Sequence, residues 1–496
     1  MSQTENKLPD TQNVGLSGNM GTMALVMTVL AFSAPLSTAT GFIPQLLIYG
    51  DIPGVGNQAP WIYVLDMITL TAFAVGFAKM GTVMQRPGGV YAYIVDALGK
   101  KAGLGAAFTS ALGYSLVGFF MPGLMAIVVD GLVTGVGGPS IPWPVYALFF
   151  ALLSTFLASL SIDFSAKFLF VVMCCEAAIM IIFDIVCFVH GSPAGTTGGS
   201  WSFINLTTGT VGIAMLFSLG NFYGFEATVI YREEVRNPKK TIPRATFIAV
   251  IGIGIFYLLC AWGFMVYFGA ENAGPAAEAD SANMFVNVLS NLVAPAVGHI
   301  VAAISLVSIF ASGLAIQNVG ARYFYSLGVD GALPKVFGKV HPTQRSPYMA
   351  AITIGTLWVV LIIVFALMGY DAEFTYTRPN TIGNFEVTCM IGLVAVAVFV
   401  YLRKNNKVNK FGIFSTTIAP IIGLCGIILV LTMCALNLNG FLGTNTVGTV
   451  IILLIVLAVF VAGYVYAGWL KNNKPDVYAR IGRYDPDTQD LEEVGK

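Results

Sequence analysis

An all-α polytopic membrane protein with twelve transmembrane helices is the fold class this sequence predicts, and three observations predict it. The chain is 56% hydrophobic and only 10% charged, with a mean hydropathy of +0.80, whereas soluble domains carry roughly 25% charged residues. Apolar runs of spanning length recur from residue 20 to residue 470, each near the ~20 residues a bilayer requires. Lysine and arginine are confined to the tails, to alternate loops and to the helix ends beside those loops, with Arg378 the exception. Together these make one membrane domain rather than a string of soluble ones.

The predicted helices, 1 to 12 in order, cover 20–49, 60–83, 104–135, 142–160, 166–190, 208–231, 245–269, 285–315, 346–369, 380–402, 413–437 and 446–470. Helices 1–10 belong to a core over 18–403, and helices 11 and 12 occupy 404–470. The tails are 1–17 and 471–496; the second mixes Lys474, Arg480 and Arg483 with Asp485, Asp487, Asp490, Glu492 and Glu493 and is expected to be solvated. The basic loops hold residues such as Arg86, Lys100, Lys101, Arg236, Lys239, Lys335, Arg403 and Lys404, and the opposite loops hold acids such as Asp51, Glu271, Glu278 and Asp280. The positive-inside rule therefore puts both termini in the cytoplasm of a cell membrane. No cleavable signal is expected, because the first run, Met20 to Tyr49, is too long for one.

Two of these helices are predicted to be broken. In helix 1, Ser33-Ala34-Pro35-Leu36-Ser37-Thr38 places a proline inside the run; proline lacks an amide hydrogen and clashes with the preceding turn, so the helix must kink there. In helix 6, Asn221-Phe222-Tyr223-Gly224-Phe225-Glu226 combines a glycine with a carboxylate. A carboxylate in hydrocarbon is costly unless paired, protonated or facing a wet cavity. If the core is two five-helix repeats, the breaks fall at equivalent places, the arrangement that holds a polar solute near the midplane. Exposed half-helix N-termini attract a carboxylate, and free carbonyls attract an ammonium group. Packed helices with ordinary kinks are the alternative.

Other polar groups inside the membrane add to this. Glu176 lies nine residues beyond Lys167, about 14 Å along a helix, and is a candidate for exchanging a coupling proton between states, as is Glu226. Asp66 and Asp184 are expected to be structural or near an outer vestibule. Ser305, Ser308 and Ser312 share one face of helix 8; Ser308 and Ser312 are weak Na⁺ candidates, though small hydroxyl residues also serve close helix packing. The seven cysteines and three histidines show no zinc-type spacing, so no metal and no cofactor is expected. Nucleophile elbows, Cys-His pairs and phosphate-binding glycine loops are missing, which argues against an enzyme. A channel would repeat one filter loop or charged ring, and a non-transporting sensor would need a soluble output domain. No basic soluble face is present to bind nucleic acid.

Three motifs carry a resemblance. Arg86-Pro87-Gly88-Gly89-Val90-Tyr91-Ala92-Tyr93 follows helix 2. Phe222 to Ala227, with Glu233-Glu234-Val235-Arg236-Asn237-Pro238 and Ile242-Pro243-Arg244-Ala245, covers helix 6 and its loop. Ser326-Leu327-Gly328-Val329-Asp330-Gly331-Ala332-Leu333-Pro334 follows helix 8. These resemble the amino acid–polyamine–organocation superfamily over essentially the whole membrane region. The resemblance implies a five-plus-five inverted repeat with broken helices 1 and 6, two further helices, and alternating-access transport of amino acids or amines, often driven by protons or by exchange. It places a substrate site at Ser33, Ala34, Pro35, Leu36, Ser37 and Thr38 and at Asn221, Phe222, Tyr223, Gly224 and Glu226. The family's small-residue run in helix 1 falls on either Ala34-Pro35-Leu36 or Ser37-Thr38-Ala39. Glu176 stands where some proton-coupled members have a lysine. The aromatic lid of some exchangers falls on Gly220, so Phe222 or another aromatic would have to close the site. A polyamine carrier or a substrate exchanger of the same fold is the nearest alternative.

Overall fold

The structure is a computed structural model, and it describes residues 21–84, 89–160, 166–191, 210–226, 228–229, 235–341, 346–409 and 411–482. The N-terminal tail, the Arg86-Pro87-Gly88 part of the first motif, Ala227, Glu233 and Glu234, and the last fourteen residues lie outside the described residues.

Each of the twelve predicted segments contains helix among the described residues. Among the described residues, nine helices are long and apolar enough to cross a membrane: 59–83, 100–135, 170–190, 238–268, 295–329, 348–367, 372–405, 414–442 and 446–473. The other three are the broken helix 1, the shorter helix 4 (Trp143–Ser159) and the broken helix 6, whose first half is Val211–Gly220. Helix 3 is stepped at Gly118–Phe119. Helix 8 begins later than expected, at Pro295; the apolar stretch before it forms a separate amphipathic helix, Met284–Leu292. Short helices at Gly89–Leu98, Ala273–Ala279 and Pro475–Arg480, and a two-residue antiparallel pair of strands, Asp51–Ile52 (β1) with Gly56–Asn57 (β2), are the further elements among the described residues.

Helix 2 packs on helix 7, helix 3 on helix 8 and helix 4 on helix 9. Each pair joins equivalent members of the two halves, as a pseudo-two-fold axis requires. Helix 12 lies against helix 3 and helix 11 against helices 2, 6 and 10. Glycines permit several of these approaches: a Cβ on Gly463 or Gly423 would meet the backbone of helix 3 or helix 2 within about 3 Å. Large apolar side chains such as Phe149, Phe156, Ile181 and Leu454 face outward, the belt a lipid bilayer covers. The seven cysteines are free; Cys187, Cys260 and Cys434 are buried as small packing groups.

Candidate functional site

Helix 1 runs Thr22–Ser33, breaks, and resumes at Pro35 through a π-helical turn, Thr38–Phe42, to Tyr49. The break is one residue, Ala34, held in the left-handed region at φ 42°. Proline disfavours a helical conformation in the residue before it, so Pro35 expels Ala34 from the helix while starting the next half itself. Helix 6 breaks earlier than the glycine at 224 suggests. Its first half ends at Gly220, and Asn221 to Gly224 form turns, with Gly224 at φ 107°. Distant partners draw the chain out of the helix: Ser33 Oγ donates to the Asn221 carbonyl at 3.0 Å, and Asn221 Nδ2 donates to Tyr63 Oη at 2.7 Å.

A cavity lies between the breaks. Ser33, Ser37, Thr38 and Phe42 line it from helix 1, Phe217, Gly220, Asn221 and Tyr223 from helix 6, Tyr114, Val117 and Phe120 from helix 3, Ser312 and Ile316 from helix 8, and Asn380 and Asn384 from helix 10. Of the site residues expected from sequence, Ser33, Ser37, Thr38, Asn221, Tyr223 and Ser312 reach this cavity. Ala34, Pro35, Leu36, Phe222, Gly224 and Glu226 are buried beside it without lining it. Phe222 turns away and packs against Tyr63, ring centroids 6.3 Å apart. It does not line the cavity; Phe42, Phe120 and Phe217 are the apolar aromatics there. A side chain at 220 would have to displace the Asn384 amide, because a Cβ there would stand 2.9 Å from Asn384 Oδ1.

The acids sit one layer behind. Glu226 accepts from Tyr114 Oη at 2.7 Å and from the Gly224 amide at 2.9 Å. Tyr114 lines the cavity, so Glu226 acts on it through that hydroxyl. Glu176 accepts from the Leu36 amide at 3.3 Å, and Ser308 Oγ accepts from the Ser37 amide at 3.2 Å. Ser305 donates to its own helix at Val301. Asp66 is fully buried beside the Ser218 hydroxyl, which leaves most of its acceptor capacity unfilled. Asp184 is buried behind helix 7, beside Gly263 and Cys187. Among the described residues no cluster of three or more His, Cys, Asp or Glu side chains could hold a metal ion.

Helix 10 contributes groups that local sequence patterns did not single out. Tyr223 Oη bonds to the Asn384 carbonyl at 3.0 Å and to Thr388 Oγ1 at 2.6 Å. Asn384 Nδ2 donates to Asn380 Oδ1 at 2.7 Å, and Asn380 Nδ2 donates to the Val117 carbonyl at 2.9 Å. Two residues beyond Asn384 is Glu386, a fifth acid at membrane depth, buried against Gly113 with Oε2 unpartnered. Its signal was present, an acid inside the apolar run 380–402.

Residues 47–478 match the amino acid permease family. The chain belongs to that family. This permease is 25% identical over 403 residues to the low-affinity putrescine importer PlaP of Escherichia coli K12, covering 77% of this chain and 84% of that one. It is 22% identical over 422 residues to the cadaverine/lysine antiporter of the same strain, covering 83% and 89%. It is also 24% identical over 438 residues to the methylthioribose transporter of Bacillus subtilis 168, covering 83% and 89%. A crystal structure of a histidine-to-alanine mutant of the Eremococcus coleocola manganese transporter superposes with a TM-score of 0.59 at 11% identity, over 94% of this permease and 99% of that chain. That likeness is one of fold: the five-plus-five inverted repeat with two further helices. The permease is a multi-pass membrane protein and a secondary transporter of the amino acid and amine class.

Proposed function

We propose that the permease carries an amino acid or a related amine through the cavity between its broken helices by alternating access, and that a proton drives it. The observation that carries this reading is the chemistry of the lining: hydroxyls, amides and aromatic faces, with Glu226 one hydrogen bond behind Tyr114 and no Lys, Arg or His among the lining residues. Such a surface suits an ammonium group, through carbonyl and hydroxyl acceptors and aromatic faces. Relatives named for putrescine and for cadaverine and lysine support a solute with an ammonium group.

Coupling is assigned to Glu176 and Glu226. Glu176 on helix 5 and Ser308 on helix 8 hold the second half of helix 1 by its Leu36 and Ser37 amides. When helix 1 tilts away, Glu176 loses its amide donor and takes up a proton; when helix 1 returns, the proton leaves. A proton held equally in both states could drive nothing. The charge distribution supports an orientation with both termini and the basic loops in the cytoplasm.

Uptake of labelled amino acids and amines into proteoliposomes, with and without an acidic exterior, tests the reading. Accumulation only under the gradient is expected. Accumulation indifferent to pH removes the proton, and no uptake of any solute in the class overturns the proposal.

A further inference from the structure

A half-helix that begins inside a membrane exposes amide groups with no partner in their own helix, and such amides are where a solute carboxylate would bind. Here they are already taken. From Ala34 to Thr38, Ala34 N donates to Leu30 O, Pro35 has no hydrogen to give, Leu36 N donates to Glu176 Oε2, Ser37 N to Ser308 Oγ and Thr38 N to Ala34 O. In helix 6, the amides of Asn221, Phe222, Tyr223 and Phe225 reach carbonyls within the turn, and Gly224 N donates to Glu226 Oε2. Among the described residues the breaks therefore offer no free backbone amide. An entering carboxylate would have to displace a covalently tethered one, and would lie close to two acids with no cationic side chain among the lining residues to offset them.

What the cavity leaves open is a hydroxyl, whose lone pairs can accept. Ser37 Oγ lines it, is 1% exposed and has no partner. A buried hydroxyl left unpaired is costly, and an N–H from a bound ammonium group satisfies it.

We infer that Glu176 and Glu226 are built-in substitutes for a solute carboxylate, and that the permease selects amines lacking an α-carboxylate: a primary amine, a diamine or an amino alcohol. This rests on the transport reading above and narrows its substrate. The sealing does not depend on ionisation, because a neutral carboxyl still accepts through its carbonyl oxygen.

The test compares each amino acid with its own decarboxylated amine: serine with ethanolamine, ornithine with putrescine, lysine with cadaverine, phenylalanine with phenethylamine. Labelled counterflow into proteoliposomes at equal pH on both sides keeps proton coupling out of the result. In any pair that is transported, the wild-type protein should favour the amine by roughly tenfold or more, the factor carried by one charge-assisted hydrogen bond. Glu176→Ala frees the Leu36 amide and should narrow that ratio; Glu176→Gln keeps an acceptor oxygen there and should preserve it. Ser308→Ala, which frees the Ser37 amide, serves if Glu176→Ala does not fold. Wild-type counterflow equal in both members, or favouring the amino acid, overturns the inference and leaves the transport reading standing. Ala and Gln variants with the same ratio overturn the part given to Glu176. No counterflow of either member in any pair ends both readings.

Discussion

Glu226 spans the break in which it sits, with one oxygen on the Tyr114 hydroxyl and the other on the Gly224 amide. A glutamine in its place offers one acceptor oxygen to those two donors, so one bond is lost and an N–H faces a donor. Glu226→Gln should reach the membrane normally, since an amide is cheaper in lipid than a charge, yet lose transport by roughly tenfold or more. Wild-type uptake at equal expression would remove Glu226 from the machinery. Asp66 poses the opposite case: it is fully buried, and the neighbouring Ser218 hydroxyl leaves most of its acceptor capacity unfilled. A buried polar group in that state costs about 1–3 kcal/mol, and replacing it with an apolar residue of similar volume relieves the cost. Asp66→Leu should therefore raise the thermal midpoint in detergent. If the acid is kept for transport, uptake should fall in the same variant; a variant that is less stable would show that Asp66 has partners in another state.

The two breaks were unequally legible at the level of elements. Pro35 announces the helix 1 break in the chain itself, and the residue before it obeys the rule for residues before proline. Helix 6 ends at Gly220 rather than Gly224 because Tyr63 and Ser33 hold Asn221, and those partners are 158 and 188 residues away. No local pattern carries that information. Glu386 was legible by the rule that marked Glu226, but Asn380, Thr381, Asn384 and Thr388 give this run so much polarity that one more acid does not stand out. Half-helix geometry alone makes the breaks carboxylate receptors; which side chains fill them depends on helices 5 and 8 coming into register with helix 1. Gly224, at φ 107°, allows the chain to turn back so that its amide meets Glu226. A β-branched residue resists that conformation. Gly224→Val should lose solute affinity by calorimetry rather than turnover alone, and an unchanged affinity would separate this turn from the binding site.

Across the whole molecule, the segment after helix 12 departs from the expectation of a solvated end. Residues 475–480 form a helix that returns to the face bearing the basic loops, where Ile481 is fully buried and Gly482 packs on Val95. Lys100 Nζ donates to the carbonyls of Tyr478 at 2.9 Å and Ala479 at 2.5 Å. Asp330, just past helix 8, accepts from the Gly482 amide and from Tyr91 Oη, each at 3.2 Å. One short segment thus ties the helix after helix 2, the start of helix 3 and the end of helix 8 together, and those elements must shift relative to one another if the site opens on that face. Burial pushes the Asp330 carboxyl up to about 6, against the Gly482 amide, the Tyr91 hydroxyl and the charges of Arg480 and Lys100, which pull it down. An undocked, hydrated aspartate titrates near 4, so the docked form holds its proton more tightly. Docking should strengthen as pH falls from about 6 towards 4, and that advantage should be gone above 6, where the carboxyl ionises in both forms. The protection factor at 475–482, with the intrinsic pH dependence of amide exchange divided out, should accordingly rise between pH 7 and pH 5, and Asp330→Asn should flatten the response. Protection that rises with pH instead would mean that the ionised carboxylate, with its two donors, is the form that holds the segment down.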